Sequence, residues 1–144
     1  MTDRRSSLKG QQTGMRAVYL VAAELVERGW IVSPTSRNAF GADLLVTNES
    51  CNRAYSIQVK SNAGHAAFWL LGEKAKRLSS RAHVYVFVNG ARGGEHEYYV
   101  VPSGVVKRRM AEQTTAKSTF YSFARDDAEK YKNAWKLLRR GTVK

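Results

Sequence analysis

Residues 41–47, GADLLVT, and residues 55–61, YSIQVKS, decide how this chain is read. Both are short and rich in aliphatic or β-branched residues, and the polar connection 48–53, NESCNR, joins them; this is the pattern of two successive strands. Side chains alternate faces along a strand, so Asp43 is thrown to one side while Leu44 and Val46 point to the other. By the same alternation Gln58 and Lys60 share one face, and Ile57 and Val59 share the opposite one. Pairing of the two strands would bring a carboxylate, an amide oxygen and an ammonium together at one end of a sheet. Such a trio can hold a divalent cation and orient a water against a phosphodiester, which makes metal-assisted phosphodiester hydrolysis the first hypothesis. The same residues also fit plain strand-end polar positions of an α/β domain, so context has to decide.

Charge supplies part of that context. The chain has 144 residues, with 24 Lys plus Arg against 12 Asp plus Glu, a net charge of +12 and a pI near 10.1. Its length suits one domain with a real core. A charge so far from zero favours a polyanionic partner. The basic residues are spread from Arg4 and Arg16 through Lys74 and Arg77 to Lys107, Arg108, Arg139 and Arg140; this suits a folded surface following a phosphate backbone better than a basic tail. No helix combines a basic face with a large aromatic apolar one, so nucleic acid is preferred to membrane. No apolar run approaches the ~20 residues that span a bilayer, and the start carries no signal-peptide pattern. One cysteine, Cys51, allows no internal disulfide. A cytoplasmic protein is expected.

Along the chain, residues 1–12 read as a flexible basic arm and 13–144 as a single domain. A helix is expected over 13–28, ending at Gly29 in the left-handed conformation; its apolar arc centres on Val18 and takes in Met15, Tyr19, Val21, Ala22, Leu25 and Val26. A strand follows over 30–33. Residues 68–71 lead into a helix over 73–80, and 83–89, HVYVFVN, is a buried strand. A further strand covers 97–102, a helix 103–110, a loop 111–119, and a last helix 126–139 with Ala128, Tyr131, Trp135 and Leu138 on one face. The order α-β-β-β-α-β-β-α-α packs most simply as one mixed sheet flanked by helices.

Helix, strand, G-x-D strand, Q-x-K strand, helix, strand: this order resembles the PD-(D/E)xK nuclease superfamily, in its restriction-endonuclease-like or Holliday-junction-resolvase-like branch. QQTG at 11–14, YLVAAEL at 19–25, RGW at 28–30, GADLLV at 41–46 and IQVK at 57–60 carry the likeness, and YYVVPS at 98–103 and YKNAW at 131–135 extend it to most of the chain. The resemblance implies an α/β fold with a restriction-endonuclease-like core and a DNA endonuclease activity dependent on Mg²⁺ or Mn²⁺. It makes Asp43 the metal-binding carboxylate and Gln58 a second, neutral ligand where most relatives carry Glu or Asp. Lys60 would orient the attacking water and offset negative charge growing on the phosphorane. DNA is the implied partner, and a homodimer follows by analogy, since cutting two strands takes two sites.

One departure bears on activity. Relatives usually carry a Glu on the first helix, about three turns before its end, and that position here is Val18. Glu24 is the nearest acidic residue, but it lies about 240° around the helix from Val18. Asp43 is then the one carboxylate of the site. Three readings stay open: a working endonuclease, a nuclease-like DNA-binding module that has lost catalysis, and an RNA-binding or protein-assembly domain using the same basic surface.

Around this core Arg16, Arg37, Asn38, Ser61, His65 and Lys74 are candidate DNA contacts. Ser56 shares the Gln58 face, to line the site or to satisfy a neighbour. His83 opens a buried strand and reads as structural, while His65 and His96 show no ligand spacing. Phe68 and Trp69 read as core rather than as base-stacking residues.

Overall fold

The computed structural model of the protein describes residues 4–36 and 41–141. Helix α1 (Arg4–Glu27) is followed by strands β1 (Ile31–Pro34), β2 (Leu44–Thr47), β3 (Ala54–Ser61) and β4 (Phe68–Leu71). Strands β5 (His83–Asn89) and β6 (Glu97–Pro102), helix α2 (Ser103–Arg109), strands β7 (Ala111–Thr114) and β8 (Thr119–Ala124), and the short helix α3 (Arg125–Ala128) complete the order. Two sheets form: a five-stranded one in the order β1-β2-β3-β5-β6, and a three-stranded one in the order β4-β8-β7. Within the large sheet β3 and β5 are parallel and the remaining neighbours antiparallel, so the mixed α/β architecture expected from the sequence is present.

The period of two organises two cores, one on each face of the large sheet. Val84, Val86 and Val88 of β5, with Ile57 and Val59 of β3, pack against Ala17, Val21 and Leu25 of α1. Tyr85 and Phe87 point the other way, into a core with Trp69, Tyr99, Val101 and Phe123. β5 is therefore buried along its whole length, which is why it reads as an unbroken apolar run. Full burial of each such aliphatic side chain contributes about 1.5–3 kcal/mol. Gly29 closes α1 with φ +91°, the left-handed turn that glycine adopts without a Cβ penalty.

Several local expectations are corrected. α1 begins at Arg4 rather than at residue 13, so 4–12 form its first turns. Its buried stripe runs through Thr13, Ala17, Val21 and Leu25, while Met15, Tyr19 and Val26 are exposed and Val18 is half-buried at the stripe's edge. The expected helix over 73–80 is a single 3-10 turn, Glu73–Lys76. The expected loop at 111–119 begins with β7, which pairs with β8 as a hairpin. The expected last helix breaks after α3 into two 3-10 turns, because Lys132 bridges to Tyr99 and Asn133 turns to φ 54° while donating its N–H to the Tyr98 carbonyl at 2.8 Å. Trp69 is fully buried, as expected, but Phe68 is 50% exposed.

Candidate active site

The antiparallel pairing of β2 and β3 sets Leu44 opposite Ile57 and places Asp43 just before β2, where its N–H donates to the Ile57 carbonyl at 2.8 Å. Gly41, two residues earlier, has φ +74°, and a Cβ there would lie 2.4 Å from Leu78 Cδ1. Another residue there would be strained by the left-handed φ and would push the Leu78 side chain aside. On β3, Gln58 and Lys60 lie opposite Tyr85 and Phe87 of β5, on the face away from α1.

Asp43, Gln58 and Lys60 line one cleft of about 540 Å³, whose wall is completed by Gly41, Tyr85 and the segment from Gly72 through Lys74 to Leu78. The carboxylate is held from two sides: Val59 N–H donates to Oδ2 at 2.8 Å and Gln58 Nε2 donates to the same oxygen at 3.0 Å. Among the described residues no hydrogen bond reaches Oδ1, so that oxygen can take an outside ligand. Because Gln58 spends its NH₂ group on Asp43, its carbonyl oxygen is the part available to a cation. Burial lowers the pKa of Lys60 below the ordinary lysine value; the Asp43 carboxylate opposes that shift and the Lys74 charge adds to it. A neighbouring carboxylate thus favours the ammonium in a place where desolvation disfavours it.

A second cleft, about 560 Å³, meets the first at Asp43 and Gln58 and is walled by α1 through Gln11, Gly14, Met15, Val18 and Tyr19. Val18 therefore stands beside the site, as the sequence argument places it. Glu24 lines neither cleft; its carboxylate is paired with Arg28, whose guanidinium lies 4.5 Å over the Trp135 ring. Gln11 is the residue that sequence reasoning passed over. It sits seven positions before Val18, two turns along the same helix face, and brings an amide to a wall that holds no carboxylate. Stepping back from Val18 by seven, as well as forward to Glu24, would have found it.

Of the other candidates, Lys74 lines the Asp43 cleft. Arg16 lines a separate cleft with Arg92. Ser61 is half-buried at the end of β3 and lines neither Asp43 cleft. His65 is turned to Glu97, 2.5 Å from Nδ1 to Oε1, in a cluster where Lys132 also holds Glu97 at 2.8 Å. Ser56 bonds His83 Nδ1 at 2.7 Å, which makes both structural neighbours rather than part of the trio. Arg37 and Asn38 lie outside the described residues.

No family model matches the chain, and no curated protein matches it. Among solved structures, the 1.6 Å structure of Archaeoglobus fulgidus Hjc, a Holliday junction resolvase from an archaeal hyperthermophile, aligns with a TM-score of 0.57. The alignment covers 90% of this chain and 98% of that one at 12% sequence identity. The fold is restriction-endonuclease-like. At that identity the likeness lies in how strands and helices are arranged, and the chemistry must be argued from the residues of this chain.

A divalent metal in this cleft would find Asp43 Oδ1 and the Gln58 amide oxygen as donors, and Gln11 would reach it only from the adjoining cleft. Among the described residues no group of three His, Cys, Asp or Glu side chains comes together. Mg²⁺ is nevertheless held in many sites by one or two carboxylates, waters and substrate phosphate. The residues present fit such a substrate-completed site and not a preformed cage. No helix among the described residues is long and apolar enough to cross a membrane.

Proposed function

We propose that the protein is a metal-dependent DNA endonuclease that hydrolyses phosphodiester bonds in the Asp43 cleft. The observation that carries this reading is the Asp43 carboxylate locked on one oxygen by Val59 N–H and Gln58, with half-buried Lys60 on the same sheet face. A structural strand-end aspartate has no need of a desolvated lysine and an open cleft beside it.

Bound Mg²⁺ or Mn²⁺ would polarise the scissile phosphate and lower the pKa of a coordinated water. Asp43 Oδ1 and the Gln58 oxygen would hold the cation. Lys60 would orient the attacking water and, as an ammonium, offset charge gathering on the phosphoryl oxygens. The water oxygen forms a bond to phosphorus as the bond to the leaving oxygen breaks. The water's proton passes to solvent, and the leaving oxygen takes one back. Lys74 and Arg77, on the far wall, would receive the flanking phosphates. The protein would work on DNA in the cytoplasm as a homodimer, each copy presenting its cleft to one strand.

A specific observation favours a second reading, a nuclease-like DNA-binding module without catalysis: Val18 and Gln11 give the helix wall no carboxylate. One experiment separates the two. Purified protein is incubated with supercoiled plasmid and with four-way DNA in Mg²⁺ or Mn²⁺, beside Asp43→Ala. Metal-dependent nicking by wild type and none by the variant supports the endonuclease. DNA binding without nicking in either supports the module, and activity surviving in Asp43→Ala contradicts the site. Unlabelled RNA that displaces bound DNA at equal concentration would point to an RNA-binding domain instead.

A further inference from the structure

Arg16 and Arg92 come from distant parts of the chain to line one open cleft of about 450 Å³, together with Gln12 and Gly93. Arg16 leaves α1 and donates from Nε to the Ala91 carbonyl at 2.7 Å. Arg92 reaches back the other way: its Nε donates to Thr13 Oγ1 at 2.7 Å, and a terminal nitrogen donates to the Lys9 carbonyl at 3.4 Å and to Gln12 Oε1 at 3.3 Å. Every one of these acceptors is neutral. Among the described residues neither arginine is ion-paired with a carboxylate, although five other Lys or Arg side chains pair with Glu. Anchoring through Nε fixes the plane of each guanidinium and leaves terminal N–H groups for an outside acceptor. Two oriented forks with undiminished charge suit a phosphate rather than a carboxylate-bearing neighbour. Nothing lies within 4 Å of where a Cβ would stand on Gly93, so that side of the cleft is open to a backbone.

The position of the cleft adds to its chemistry. Gln11, Met15 and Val18 of α1 face Asp43 and Gln58, while Gln12 and Arg16 of the same helix face Arg92. α1 is thus a ridge between the Arg16–Arg92 cleft and the second cleft, which opens into the first at Asp43 and Gln58. A helix is about 10–12 Å across with its side chains, close to the roughly 12 Å width of the B-DNA major groove. A single strand would have to climb over the ridge to occupy both clefts, whereas the two strands bordering a groove straddle it. Leu8, Gln11, Gln12, Met15 and Tyr19 are exposed on the helix, so no other part of the described fold covers that ridge.

We propose that the Arg16–Arg92 cleft is a second DNA-backbone site, holding a phosphodiester of the strand opposite the one in the Asp43 cleft, with α1 seated in the groove between them. The inference rests on the endonuclease reading for the identity of the polyanion and extends it to how a duplex arm is gripped. The test is the salt dependence of binding to a duplex and to a single strand of the same sequence, with Ca²⁺ replacing Mg²⁺. Wild type is compared with Arg16→Gln/Arg92→Gln and with Gln12→Glu, which adds a negative charge to the cleft and removes neither arginine. On duplex, the double variant should lose about one unit of log–log salt slope per arginine and about tenfold in affinity for each. Gln12→Glu should weaken duplex binding with an unchanged or higher Tm. Single-strand binding should change little in both variants. Unchanged duplex binding in Gln12→Glu, or an equal loss on single strands, overturns the second-strand site alone. A wild-type protein that binds neither DNA overturns the endonuclease reading with it.

Discussion

The Asp43 cleft and the Arg16–Arg92 cleft handle charge in opposite ways. In the first, a lysine is partly desolvated beside a carboxylate that two donors hold still. In the second, two exposed guanidiniums are tied to neutral carbonyl and hydroxyl oxygens and, among the described residues, pair with no acid. Opposed charges kept together and partly dry suit a place where charge must change during a reaction. Unopposed charges in the open suit a place where a polyanion is merely held. A basic surface alone is therefore a poor guide to where chemistry occurs; what marks the site is an acid kept among bases.

The largest effect expected from this contrast is on cleavage. Lys60→Ala should reduce single-turnover nicking by about 10²–10³-fold, the size seen when one stabiliser of developing charge is removed, and should leave duplex affinity within a few-fold of wild type. Quenched-flow cleavage and anisotropy on one labelled duplex measure both. A comparable fall in affinity would move Lys60 from the reacting phosphate to the footprint.

Metal binding should move next. Gln11→Glu or Val18→Glu adds a carboxylate to the helix wall, so Mg²⁺ affinity in the presence of DNA should rise about tenfold, read by titration of nicking rate against Mg²⁺. The two variants should differ without metal. Gln11 is exposed and Val18 half-buried, so Val18→Glu alone should lower Tm in EDTA and regain it with Mg²⁺. Glu24→Ala should leave metal dependence unchanged, and a loss there would contradict the helix register.

The smallest effect concerns stability and pH. The folded pKa of Lys60 lies below its unfolded value, so its ammonium costs stability at neutral pH. That cost fades as pH rises through the lowered pKa toward 10.5. Lys60→Met should therefore raise Tm slightly at pH 7 and lose that advantage near pH 10. Calorimetric scans at the two values check it, and a Tm lowered at pH 7 would mean that the attraction of the Asp43 carboxylate for the ammonium outweighs the burial.

Much of this was legible in the sequence, for reasons of period. Gln58 and Lys60 interrupt an apolar strand at a spacing of two and Asp43 leads directly into the neighbouring one, so their faces follow from alternation. β5 announces itself by β-branched and aromatic residues with no polar break. What hid was structure held by pairing rather than by pattern. β7, AEQT, is exposed throughout and exists because β8 pairs with it. The C-terminal segment keeps Ala128, Trp135 and Leu138 buried, so its helical spacing looked sound, yet the chain leaves the helix at Lys132 to bridge β6. The buried stripe of α1 was misplaced because Met15, Tyr19 and Val26 are as apolar as core residues and face outward. Arg92 carried no signal at all; only the fold brings it to Arg16.

The most direct test of the central claim is single-turnover cleavage and equilibrium binding of one labelled four-way DNA by wild type and Asp43→Asn, with Mg²⁺ for the first and Ca²⁺ for the second. Asp43→Asn keeps the shape of the side chain and one hydrogen-bond acceptor while removing the charge. The account predicts metal-dependent cleavage by wild type, a loss of at least about 10²-fold in Asp43→Asn, and closely similar affinities. Cleavage by Asp43→Asn at the wild-type rate, or no cleavage by wild type in either Mg²⁺ or Mn²⁺, would contradict it.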